Sequence, residues 1–163
     1  MKIARGLALA LAALLATLGA ATAQLKPSSP ADPPLPPSPT EARRTEAQSV
    51  KEMAARLAAE QWLAVVDSGQ YGKAWEQSAR RFRENVTQQQ WVESLPKTRG
   101  ALGPVKSRRV EVASYKSSLP GMPTGDYVTV RFATSFDKKD NAQEMVTLVF
   151  EDGTWRPLGY GVG

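Results

Sequence analysis

Between Glu41 and about Asp67, apolar residues recur at helical spacing. Val50, Met53, Ala54, Leu57, Ala58, Ala64 and Val65 share one broad face, the mark of a long amphipathic helix. The run Trp62-Leu63-Ala64-Val65-Val66 is apolar all round, so the helix is expected to enter the core at its C-terminal end. Thr40 is the expected N-cap. Ser68-Gly69 ends the helix, with Gly69 suited to a left-handed cap. A second stripe, Tyr71, Trp75, Ala79, Phe82 and Val86, predicts a helix from Tyr71 to about Val86. Thr87 with Gln90 three residues on forms a capping box that opens a third helix, carrying Trp91, Val92 and Leu95. Pro96 is expected to kink or end it, and Gly100 and Gly103-Pro104 to stop it.

From Val105 the period changes to two. Val110 and Val112 alternate with polar neighbours. Val128, Val130, Phe132 and Phe136 do the same, and so do Val146, Leu148 and Phe150. Ser118 to Gly125 reads as a turn-rich loop and Asp137 to Asn141 as a polar hairpin connection. Asp152-Gly153 is a two-residue hairpin signal. Trp155 to Tyr160 is the last strand, placed at an edge by Pro157, which has no N–H for a ladder. The expected fold class is α+β, with three N-terminal helices packed on one face of a curled four-stranded antiparallel meander sheet.

The first 40 residues have a different texture. Lys2 and Arg5 precede the apolar run Leu7 to Ala20, and Ala21-Thr22-Ala23 supplies the small residues of a cleavage site. Residues 1–23 therefore read as a signal peptide cut before Gln24, sending the chain to the periplasm with no membrane anchor retained. No Cys follows the run to carry a lipid. Prolines at 27, 30, 33, 34, 36, 37 and 39 make residues 24–40 a semi-rigid linker ahead of a single domain, 41–163.

Composition narrows the chemistry. The chain has no Cys and no His. Without Cys there is no disulfide or thiol chemistry. Without His the commonest general base and metal ligand is missing, which excludes a Ser-His-Asp triad, a Cys-His pair and ordinary zinc hydrolysis. No cofactor and no metal is called for. Losing Lys2 and Arg5 with the leader lowers the formal charge from +5 to +3, which gives no reason to expect nucleic acid as a partner.

Several strings together resemble a bacterial family known as domain of unknown function 4019. They are Trp62-Leu63, Asp67-Ser68-Gly69-Gln70-Tyr71 and Trp75; then Arg99, Leu102-Gly103, Leu119-Pro120-Gly121, Gly125 and Tyr127. The rest are Glu144, Val146-Thr147-Leu148, Asp152-Gly153, Trp155-Arg156 and Gly159-Tyr160. The resemblance spans about residues 50 to 160; Pro157 departs from it, standing where a β-branched residue is expected. The resemblance implies an envelope protein similar in layout to the cone-shaped superfamily of nuclear transport factor 2. It implies no activity.

Members of that superfamily often hold ligands between a long helix and the sheet. Trp62, Tyr71, Trp75, Trp91 and Tyr127 are the aromatics that would line such a pocket; the same residues would equally fill a core. Arg131 lies opposite in phase to Val130 and Phe132, and Arg99 follows the third helix, where a cation complements the dipole. Arg131 becomes an anion-binding or ion-paired group if both faces of the sheet are covered; for Arg99 the dipole is the expected role. Asp67 has a turn role open to it, and Asp67 and Glu144 are the carboxylates an enzyme would use as base. Asp137 to Asn141 lacks calcium-loop spacing, and Arg80-Arg81-Phe82-Arg83 is expected to face outward. These features point to a non-enzymatic periplasmic module that binds a small ligand or an envelope protein. The alternatives are a small cone-fold isomerase or hydrolase with a carboxylate base, and a structural adaptor, which a homodimer through the sheet face would favour.

Overall fold

The computed structural model describes residues 38–163. The expected signal peptide and most of the expected linker lie outside these residues. Helix α1 runs from Pro39 to Asp67, two residues earlier than Thr40 as N-cap would allow. Ser38 is the cap: its Oγ accepts from the Glu41 N–H, and the Glu41 carboxylate accepts from the Ser38 N–H at 2.9 Å. Pro39 stands at the first helical position, where its missing N–H costs nothing.

The broad apolar face read along α1 is largely not the buried one. Ala55, Ala59, Trp62, Leu63 and Val66 enter the core, whereas Val50 and Met53 are each 63% exposed and Leu57 is 48% exposed. Both sides of the helix are apolar in this stretch, so periodicity alone cannot choose between them. The sheet chooses the side that carries small alanines, over which a helix can approach closely. Val65 and Ala58 pack at the margin of the core.

The segment expected as one second helix is two short ones, α2 (Tyr71–Glu76) and α3 (Arg80–Asn85). The break has a tertiary cause. Ala79 takes an extended backbone and donates its N–H to the Pro157 carbonyl at 2.7 Å, and the next N–H, of Arg80, is capped by Glu151 at 2.8 Å. Arg80 and Arg81 face outward as expected, but Arg83 is half-buried with its guanidinium 5.9 Å from the Trp75 ring centre.

Helix α4 (Gln88–Leu102) opens with the Thr87–Gln90 capping box and continues through Pro96 and Gly100. Pro96 leaves the Val92 carbonyl without its helical donor. Val92 is exposed, so water can serve that carbonyl. Gly103, at φ 79° and ψ −173°, is the true stop.

Four strands follow: β1 (Val105–Lys116), β2 (Tyr127–Phe136), β3 (Ala142–Glu151) and β4 (Thr154–Val162). They form an antiparallel meander in the order β1-β2-β3-β4, without the strong curl expected. Asp152 and Gly153 both have positive φ, as a two-residue hairpin requires. Strand β4 is an edge and pairs with β3 along its length, with one irregularity opposite Pro157. The helices cover one face, where Val128, Val130, Phe132, Val146 and Leu148 meet α1 and α4 residues in a single cluster.

Candidate functional site

Six polar side chains from six elements converge at one end of the helix–sheet interface. Asp67 ends α1, and Arg99 lies in the last turn of α4. Arg108 comes from β1, Thr134 from β2, Glu144 from β3 and Tyr160 from β4. The register explains the meeting: Arg108 pairs with Thr134, and Glu144 with Phe132, so all three strand residues point to the helical face.

Glu144 is fully buried, and each of its oxygens accepts two hydrogen bonds. Oε1 accepts from Arg99 Nη1 at 2.7 Å and from the Tyr160 hydroxyl at 2.7 Å. Oε2 accepts from Arg108 Nε at 2.6 Å and from Thr134 Oγ1 at 2.7 Å. Both guanidiniums also reach Asp67. Arg99 Nη2 donates to Oδ1, and Arg108 Nη1 donates to Oδ2 at 2.7 Å. The result is a closed ring, Asp67–Arg99–Glu144–Arg108, with two positive and two negative charges. Arg99 additionally stacks over Phe136, 4.8 Å from the ring centre.

The electrostatics follow from this geometry. Burial alone would raise the Glu144 pKa, but the bonds from Arg108, Thr134 and Tyr160 outweigh it and hold the carboxyl below its ordinary range. Burial likewise works against the Arg108 charge and is overcome by Asp67 and Glu144, so its pKa lies above the usual value. The Tyr160 hydroxyl is pushed up by burial first and then by the Glu144 charge. Glu144 is thus an ionised, fully subscribed acceptor, and Tyr160 a protonated donor. A general base must reach a substrate proton with a free lone pair. Glu144 is sealed from solvent with all four acceptor positions filled, while Asp67 accepts three bonds, two at Oδ1 and one at Oδ2, all from guanidinium groups.

Above the ring lies a cleft of about 700 Å3. Asp67 and Arg99 form its polar floor; Val66, Tyr71, Pro96 and Val105 supply apolar wall. Gly100 and Lys138 sit at its rim, where Lys138 Nζ donates to the Gly100 carbonyl at 3.1 Å. The rim is set by a corner: Lys138 N–H donates to the Leu102 carbonyl at 2.9 Å and Asp137 N–H to Pro104 at 2.8 Å. The β2–β3 hairpin is thereby held against the α4–β1 turn. A side chain on Gly103 would meet Asp137 at 3.1 Å. A smaller cleft, of about 310 Å3, lies between α1 and β4 beside Trp62 and Trp155 and does not touch the ring.

The residues singled out from the sequence separate into groups. Arg99 is in the ring and Tyr71 on the cleft wall. Trp62 and Trp91 are core, their ring centres 6.0 Å apart and both packed on Tyr160. The Trp62 indole N–H donates to the Ala74 carbonyl at 2.8 Å; the buried Trp91 N–H has no partner among the described residues. Trp75 is half-buried and donates to the Val86 carbonyl at 2.7 Å. Tyr127 is buried away from the cleft, its hydroxyl bound to the Pro123 carbonyl. Arg131 is exposed on the uncovered face of the sheet. Asp67 is a ring member, and the turn after it is closed by Ser68.

Arg108, Thr134, Tyr160 and Lys138 were not among the site residues expected from the sequence. A signal for two of them was present. Thr134 is in phase with Val130, Phe132 and Phe136, and Arg108 with Val110, so each interrupts an apolar alternation with a polar side chain facing inward. Among the described residues, no group of three or more Asp or Glu is placed to hold a metal ion, and no helix is long and apolar enough to cross a membrane.

A family model described as Protein of unknown function (DUF4019) matches residues 58–160. No curated protein and no solved structure matches the chain.

Proposed function

The chain belongs to the DUF4019 family, and we propose that this member is a non-enzymatic, exported binding module that holds a small ligand in the cleft above the Asp67–Arg99–Glu144–Arg108 ring. One observation carries the reading: the ionisable groups beneath the cleft satisfy one another. The carboxylates an isomerase or hydrolase would use are Asp67 and Glu144. Asp67 reaches the cleft, but both its oxygens accept from arginine. Glu144 has a depressed pKa and four donors, the reverse of what a base poised near neutral pH requires. The ring therefore supports a rigid, electrically balanced floor rather than a proton-transfer device.

The cleft is within the size range of small-molecule sites, and its few polar groups sit among apolar walls. Its location, at the ends of α1 and α4, differs from the helix–sheet hollow of the cone-shaped superfamily. The order of helices followed by a meander supports a kinship of layout with that superfamily. The Lys2–Ala23 pattern supports export to the periplasm.

Native mass spectrometry of the protein isolated without denaturation, beside a Gly100→Phe variant, tests the proposal. Gly100 is helical, lines the cleft and has open space where a Cβ would stand. Phe there fills the cleft without straining the backbone. The expected result is a small-molecule adduct on the wild type that is lost in the variant. An adduct equally present on both proteins places the ligand elsewhere and overturns the reading; so does a bare wild-type chain.

A further inference from the structure

The cleft has an uneven charge surface. Its single acid, Asp67, is neutralised where it stands: Oδ1 accepts from both Arg99 and Arg108, and Oδ2 accepts from Arg108. Its two cations are less fully used. Arg99 spends Nη1 on Glu144 and Tyr160 and Nη2 on Asp67, while its Nε makes no hydrogen bond among the described residues and is not sealed from solvent. Lys138 forms no ion pair among the described residues; its ammonium has only the Gly100 carbonyl, which leaves two of its three N–H donors free. With Glu144 and Arg108 cancelling beneath the floor, the cleft carries one positive charge in excess.

The walls add a second constraint. Tyr71, Val66, Pro96, Pro104 and Val105 are apolar or largely so, and the Tyr71 hydroxyl makes no hydrogen bond among the described residues. A ligand that matches both features has a compact apolar body and one anionic head. Resting on the cleft reading above, we infer that the site selects small organic carboxylates, with the body against Tyr71 and Val105 and the head between Arg99 and Lys138. A carboxylate accepts a guanidinium N–H and an ammonium N–H together, and both bonds are charge-assisted. An amine head would meet the excess positive charge, and the one carboxylate lining the cleft, Asp67, is already engaged by arginine. An alcohol head would gain only ordinary hydrogen bonds.

The test uses three probes that share one body: 3-phenylpropanoate, 3-phenylpropan-1-ol and 3-phenylpropylamine. Each is titrated by calorimetry into wild type, Lys138→Glu and Gly100→Phe. Lys138 is exposed and its structural bond to Leu102 uses the backbone N–H, so the reversal of charge leaves that corner intact. Gly100→Leu serves as a second blocking variant should the Phe variant fail to fold, and thermal unfolding of each protein verifies the fold. The expected result is that the carboxylate binds at least tenfold more tightly than the alcohol and the amine more weakly than either. Lys138→Glu should weaken the carboxylate about tenfold and leave the alcohol unchanged, and the blocking variants should abolish binding.

Equal binding of all three probes, blocked at Gly100, overturns the carboxylate inference while the cleft reading stands. Tighter binding of the amine overturns it in the same way. Carboxylate binding that is indifferent to Lys138→Glu removes the assigned head position. Failure of every probe to bind removes the ligand class, and the native mass spectrum then decides the cleft reading by itself.

Discussion

Arg99, in the last turn of α4, donates to Glu144, near the start of β3, across 2.7 Å. The bond joins the helical layer to the far half of the sheet at a point where Glu144 is fully buried and Arg99 is nearly so. An isolated charge there would cost several kcal/mol. The ring exists because each charge is balanced by two neighbours.

Removing one member should therefore cost far more than losing an ordinary surface pair. Glu144→Gln keeps the shape and leaves two guanidiniums facing a neutral group. The expected loss is about 3–5 kcal/mol, the usual consequence of breaking a buried ion pair from one side. Urea denaturation measures it. Asp126→Asn, which breaks the partly exposed Lys51–Asp126 pair, should cost about 1 kcal/mol or less.

The ring also fixes a pH dependence. Glu144 has a lowered folded pKa, so the native state holds it ionised more strongly than the unfolded chain does. Its contribution is fully present above the ordinary carboxylate value near 4.5 and is lost as pH falls through the folded value. The stability gap between wild type and Glu144→Gln should be constant from pH 6 to 8 and narrow below about pH 4.5. Urea midpoints at neutral and acid pH decide it. A gap that widens in acid would contradict the assignment.

Two glycines three residues apart should respond oppositely to alanine. Gly100 is inside α4 with nothing near its missing Cβ, so Gly100→Ala should stabilise by up to about 1 kcal/mol. Gly103 has φ 79° and ψ −173°, a region nearly exclusive to glycine, and a Cβ there meets Asp137 at 3.1 Å. Gly103→Ala should cost about 1–3 kcal/mol or more. Thermal melts of the two variants, run side by side, test the helix boundary.

Along α1, Leu57 and Leu63 separate the exposed and the buried apolar sides. Leu63 is fully buried, and Leu63→Ala should cost about 2–5 kcal/mol. Leu57 is about half exposed, and Leu57→Gln should change stability by about 0.5 kcal/mol either way. Equal losses at both positions would mean that the exposed stripe is covered in solution.

What the chain dictates locally was legible residue by residue. The Thr87–Gln90 capping box, the Gly69 stop, the Asp152-Gly153 hairpin and the period-two strands depend on neighbours within a few positions, and each stands where its residues put it. The α+β class follows from those elements in order. Tertiary structure decided what local patterning leaves degenerate. It chose which apolar side of α1 meets the sheet, because both sides are apolar. It broke the Tyr71–Val86 stripe at Ala79, because the Pro157 carbonyl, remote in sequence, takes the N–H that a continuous helix would use. It also assembled Asp67, Arg99, Arg108 and Glu144 from positions up to 77 residues apart into one neutral ring. A charged side chain read alone looks like surface. Only the partners brought to it by the fold make its burial possible, and hydrogen bonds between distant residues leave no period in a sequence.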